Sequence, residues 1–231
     1  MRKYKLEQSK VEGIAMDMAK SISDIIPSRE ECEKLMVQHS MRPNIVEHSI
    51  QVMNVSLAIT DNLKNGVSLN RDLVTAGALL HDITKTRSLE TNERHDISGG
   101  EFLREMGFTS VAEIVEQHII FKNFNPQGRL EEREIIFYAD KRVNHDKIVT
   151  IDERVHYLIQ RYGDTEEIRS HILRNKNLVL AVERKITDFM KIDINRAIEE
   201  IKAVEINRPS SLPLCHPPLR SGIQYKFLPL L

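Results

Sequence analysis

Four histidines and two aspartates in the first 140 positions have the types and spacing for one shared piece of chemistry: His48, the pair His81-Asp82, His95, His118 and Asp140. Imidazole and carboxylate ligands together suit iron, manganese or zinc better than calcium, which prefers an all-oxygen shell. Most of the six lie among apolar neighbours at helical spacing, where an unpaired carboxylate or imidazolium would be costly to bury. Shared metal ions remove that cost. The chemistry such a cluster supports is attack by water, because a bound ion lowers the pKa of water from about 15.7 toward about 7.

The elements around these residues must turn them inward. Ile45, His48, Val52, Val55 and Ile59 fall on one three-four stripe, so His48 faces a core. The run LVTAGALLHDI is apolar on nearly every side, which marks a helix buried all round, and Gly77 would let other helices approach it closely. His81 and Asp82 would lie about 100° apart on that helix and grip an ion from its flanks. His118 continues a stripe through Val111, Ile114 and Val115, and Asp140 lies between Ile136 and Val143. His95 precedes the expected helix start at Asp96 or Ser98 and would enter from a loop edge. A lone histidine on an apolar face is usually a core residue bonded to backbone, so the argument rests on the ensemble. His-Asp occurs three times, at 81–82, 95–96 and 145–146, and only the first copy sits in a buried run. His145-Asp146 reads as a solvated turn, and His39, His156, His171 and His216 as structural or surface residues.

Helical periodicity runs through nearly the whole chain and predicts an all-α fold. Expected helices span 9–25, 28–40, 44–64, 71–83, 97–106, 109–121, 131–143, 152–162 and 165–203, the last bending near Lys191–Asn195. Ser28 with Glu31 and Thr150 with Glu153 fit capping boxes, with Asn44 and Glu47 a variant. Gly66, Gly107 and Gly163 each follow a helical run, as C-terminal caps do. The segments 84–96 and 122–130 read as polar loops beside the site. The resulting division is N-terminal helices over 1–43, a metal-binding core over 44–143, packing helices over 144–205 and a tail over 206–231. That tail holds five of the eight prolines and ends on FLPLL. It reads as a poorly ordered extension or as a segment docking on a neighbouring subunit, which leaves a homo-oligomer open.

Lys and Arg total 33 against 34 Asp and Glu, a net charge of -1 that gives no bulk attraction for nucleic acid or an anionic membrane. Two cysteines far apart, Cys32 and Cys215, offer neither a disulfide framework nor a zinc ribbon. With no apolar run of membrane-spanning length, the expectation is a soluble, cytoplasmic protein.

The order His48, then His81-Asp82 in AGALLHDITK, then Asp140 in YADKR resembles the HD-domain metal-dependent phosphohydrolase superfamily. HDITK is similar to its HD-x-x-K signature, with Thr84 where a glycine is common, and His95 with His118 looks like its two-metal subgroup. The resemblance covers about 44–143 and implies an HD-type helical bundle with extra C-terminal helices. It implies that His48, His81, Asp82 and Asp140 hold one divalent ion. His95 and His118, with Asp82 bridging, would hold a second. The implied activity is hydrolysis of a phosphate ester or anhydride, as in bacterial enzymes acting on nucleotides and dinucleoside tetraphosphates, by a hydroxide bridging two ions. Asp82 and Lys85 are then the catalytic pair. Lys85 is the first cation expected at the phosphate, followed by Arg87, Arg94, Lys122 and Arg142. Phe121, Phe124 and Phe137 could stack on a base, although core packing suits Phe121 and Phe137 better. An HD-fold di-iron oxygenase and a non-catalytic sensor or scaffold are the alternatives.

Overall fold

A computed structural model describes residues 24–206, the last five by their backbone alone. The expected helix over 9–25, but for its last two residues, and the tail lie outside the described residues. Most of the described residues are helical, as the periodicity predicts: α1 Arg29–Gln38, α2 Pro43–Asp61, α3 Arg71–Leu80, α4 Lys85–Thr91, α5 His95–Glu105, α6 Thr109–Val115, α7 Glu132–Lys141, α8 Ile151–Tyr162, α9 Glu166–Phe189 and α10 Ile194–Ile206. Between α7 and α8 a short antiparallel hairpin pairs β1 Val143–Asn144 with β2 Lys147–Ile148. No described helix is long and apolar enough to cross a membrane.

Both capping boxes form. The Ser28 side chain accepts from the Glu31 N–H at 3.3 Å while Glu31 accepts from the Ser28 N–H at 2.7 Å, and Thr150 with Glu153 repeats the exchange before α8. Asn44 does not cap α2. Arg42 precedes the helix and Pro43 opens it, a position where the missing proline N–H would have had no helical partner in any case.

α3 is the central helix. Every residue from Val74 to Leu80 is buried, and α2, α6 and α7 pack around it. A Cβ at Gly77 would stand 2.7 Å from Ile136 Cδ1 and 3.2 Å from Ile114 Cγ2, so side chains of α6 and α7 pack directly on the bare backbone there.

Several boundaries depart from expectation, each for a local reason. α3 stops at Leu80, so His81 and Asp82 sit on the turn leading to α4. The 84–96 segment contains α4, which has no buried residue and therefore no apolar stripe to announce it; it ends at Asn92 in the left-handed region, φ 59°. α6 stops at Val115, leaving His118 in the following turn. The long C-terminal helix breaks where expected. There the Lys64 N–H donates to Phe189 O and the Lys191 N–H to Asn62 O, both at 2.8 Å, pairing the break with the end of α2.

Candidate metal centre

Two of the cluster's histidines sit where helices run out of partners. The last carbonyls of a helix have no N–H of their own. His81, immediately after α3, donates Nδ1–H to Ala78 O at 2.8 Å, and His118, just past α6, donates Nδ1–H to Val115 O at 2.6 Å. His48 lies inside α2 and donates from Nδ1 to the main-chain oxygen of His145 at 2.9 Å, across the hairpin turn. A carbonyl can only accept, so each Nδ1 must carry the proton. In the neutral ring Nε2 is then a bare lone pair.

Those lone pairs converge on carboxylate oxygens. His48 Nε2 lies 3.0 Å from Asp140 Oδ1. His81 Nε2 lies 3.4 Å from Asp82 Oδ2 and 3.9 Å from Asp140 Oδ1. Asp82 Oδ1 faces His95 Nε2 at 3.1 Å and His118 Nε2 at 3.4 Å, with the latter two nitrogens 3.3 Å apart. His81 Nε2 and Asp82 Oδ1 are buried without any hydrogen bond. Acceptor facing acceptor among buried groups is unfavourable until a cation enters. The donors fall into two sets, His48–His81–Asp82 and Asp82–His95–His118, with Asp82 common to both. Each set could hold a metal ion, and Asp140 lies on the His48 side of the first.

The electrostatics agree. Burial pushes His118 down to about 4 and also lowers His48, so both are neutral and ligand-ready near pH 7. Burial pulls His81 down as well, yet Asp82 and Asp140 outweigh it and raise the net value: the carboxylates favour positive charge at that edge. Burial alone would raise Asp82, but Lys85 and His81 hold it well below the usual carboxylate range. Asp140 is held down likewise, chiefly by Lys141.

His95 opens α5 instead of preceding it and is the most exposed of the four histidines, with a side chain 16% exposed. Its main chain is tied down by Thr84, whose hydroxyl donates to His95 O at 2.9 Å and accepts from Ser98 Oγ at 3.0 Å. Thr84 thus has a task of its own in placing His95.

The expected phosphate-facing cations separate. Lys85 Nζ donates to Asp82 Oδ2 at 2.6 Å and its side chain remains 32% exposed. Arg87 is paired with Glu93, Arg94 with Asp96, and Lys122 is exposed. Arg142 does not join the site. It is 5% exposed, and its guanidinium donates to Val149 O at 2.8 Å and Tyr138 Oη at 2.6 Å, which commits it to bracing the hairpin. Lys141 was missed: its Nζ bridges Asp140 Oδ2 at 2.6 Å and His118 O at 2.8 Å. Its place beside an inward aspartate in YADKR was the available signal. Phe121 and Phe137 stack in the core with ring centres 4.7 Å apart, and Phe124 packs edge-on against Phe121.

A helical domain centred on convergent His and Asp residues, in the order His, His-Asp, Asp, defines a class. The HD-domain family profile matches residues 45–144. An uncharacterized protein of Methanocaldococcus jannaschii is 31% identical over 150 residues, 58% of this chain and 88% of its own. The chain belongs to the HD-domain superfamily. It is also 26% identical over 186 residues to a tRNA (cytidine(56)-2'-O)-methyltransferase of Picrophilus torridus, a match covering 74% of this chain and 50% of that one. The chain therefore spans about half the length of that relative. A dihydroneopterin 2',3'-cyclic phosphate phosphodiesterase of M. jannaschii is 45% identical over 49 residues, 20% of each chain. No solved structure matches significantly.

Proposed function

We propose that this protein is a metal-dependent phosphohydrolase that cleaves a phosphate ester or anhydride, with a nucleotide as the substrate class. The observation that carries the reading is the convergence of bare imidazole and carboxylate lone pairs on two points that share Asp82. His48, His81, Asp82 and Asp140 would hold one ion, and Asp82, His95 and His118 the other. Ions bound there supply Lewis acidity toward a phosphoryl oxygen and acidify water at neutral pH. Lys85 fixes the orientation of Asp82 through one donor, and its remaining N–H groups are free to meet phosphoryl oxygens. Lys141 holds Asp140 from the side opposite His48.

The named activity of the phosphodiesterase relative supports ester cleavage within this domain type. The methyltransferase relative is about twice as long as the matched segment, so its named activity has room outside that segment. The test is elemental analysis of full-length protein purified without chelator, together with the Asp82→Ala and His118→Ala variants. We expect about two equivalents of transition metal, about one in His118→Ala and almost none in Asp82→Ala, as a two-ion site sharing one carboxylate requires. Turnover of bis(p-nitrophenyl) phosphate and of 2',3'-cyclic nucleotides should follow the metal. No stoichiometric metal after reconstitution, or full turnover in Asp82→Ala, would overturn the reading. Oxygen uptake by the iron-loaded protein without phosphate release would favour an oxygenase instead.

A further inference from the structure

α8 carries a cation that its own contacts do not account for. Arg154 donates from Nη1 to Asn144 Oδ1 at 2.5 Å, and its guanidinium carbon lies 5.8 Å from the centre of the Tyr157 ring. Its Nε is buried and makes no hydrogen bond, and Arg154 enters no ion pair among the described residues. A buried N–H left unpaired beside a full positive charge is costly and calls for a partner.

Two links tie this arginine to the metal centre. Asn144 is followed by His145, whose main-chain oxygen lies 2.9 Å from His48 Nδ1. His145 Nε2 also lies 3.1 Å from Tyr157 Oη, one turn along α8 from Arg154. On the site's side stands Lys85, with Nζ on Asp82 Oδ2 at 2.6 Å, and the charge of Arg154 acts on it. Arg154 Nη2 makes no hydrogen bond among the described residues and Lys85 keeps unspent ammonium donors, so the two cations become favourable together when an anion lies between them. A guanidinium suits the planar, forked demand of phosphoryl oxygens better than an ammonium does.

We propose that Arg154 is a substrate-binding residue that, together with Lys85, grips a phosphate group on the α8 side of the cluster. The proposal rests on the phosphohydrolase reading for its substrate class, but its test does not require turnover. The affinity of the manganese-loaded, full-length protein for inorganic phosphate is measured by titration calorimetry. The variants are Arg154→Gln, Arg154→Lys and, as a control, Arg161→Gln at an exposed position of the same helix. Gln keeps a donor for Asn144 but removes the charge; Lys keeps the charge but loses the fork.

Arg154→Gln should weaken phosphate binding at least about tenfold, and Arg154→Lys should recover part of the loss, as expected for one charge-assisted contact. Arg161→Gln should match wild type, and metal content should stay constant across the series. KM for p-nitrophenyl phosphate should rise in Arg154→Gln more than kcat falls. Wild-type protein that binds no phosphate, or phosphate affinity within twofold of wild type in Arg154→Gln, overturns the proposal. Arg154-dependent phosphate binding by a metal-loaded protein that hydrolyses nothing would uphold this proposal while sinking the hydrolase reading.

Discussion

The imidazole of His145 is exposed and holds no place in the cluster, yet its main-chain oxygen decides which nitrogen of His48 is bare. The residue reaches that position with φ 57°, in the left-handed region that glycine adopts without strain. A His145→Gly substitution should therefore leave metal content unchanged and stability within about 1 kcal/mol of wild type. His145→Pro cannot adopt a positive φ and should move the carbonyl, weakening metal affinity by about 10–100-fold, the usual cost of losing a partner that orients a metal-ligating histidine. Metal retention during dialysis against graded chelator checks both. Loss of metal in the glycine variant would show that the imidazole, not the carbonyl, is what the site requires.

Elements bring the six residues together, and here sequence reading reached some features and not others. The inward stripe of α2 and the all-round burial of α3 were legible because burial dictates apolar spacing, and the capping boxes because orphan N–H groups demand particular side chains. The ends of α3 and α6 were not legible. Each is followed within three residues by a histidine whose Nδ1 takes over a helix carbonyl, a substitution of partners that leaves hydrophobic periodicity unchanged. The hairpin was missed for a similar reason: two-residue strands are too short to alternate. The placement of Arg142 was not legible because charge alone does not distinguish a guanidinium spent on a carbonyl and a phenol oxygen from one facing the site, and Arg154 was not singled out at all.

Gly77 was read correctly as a point of close approach, and the geometry now grades its tolerance. Ile136 Cδ1 is the far end of a flexible side chain, and alanine gains helix propensity, so Gly77→Ala should be close to neutral. Gly77→Leu should cost about 1–3 kcal/mol by overpacking and should lower metal affinity, because α7 carries both Ile136 and Asp140. Urea unfolding with and without metal separates the two effects. Equal metal affinity in Gly77→Leu would mean that α7 does not set the position of Asp140.

At the scale of the whole molecule, one buried cation joins parts far apart in the chain. Lys185 of α9 donates to Glu134 of α7 at 2.7 Å and to the carbonyls of Asn125 and Arg129 at 2.9 and 2.8 Å, which anchors the 122–130 loop. Both side chains are almost fully buried. Burial raises the Glu134 carboxyl above its ordinary value, although Lys185 and the Glu131 N–H pull it back. A carboxyl whose folded pKa is raised contributes stability that is fully present below its unfolded value, near 4.5, and is lost as pH rises through the folded value. Lys185→Met removes the main opposing influence, so the folded value of Glu134 climbs further and the loss extends to higher pH. The variant should be less stable than wild type by about 3–5 kcal/mol at pH 7, where it leaves a buried carboxylate without a counter-charge. That deficit should shrink as pH falls toward 4.5, because a protonated Glu134 no longer needs the ammonium. Guanidinium unfolding of both proteins at pH 7 and pH 5 measures the difference. A deficit that stays constant across that range would mean that Lys185 acts through the loop carbonyls alone and that the ionic pair contributes nothing to joining α7 with α9.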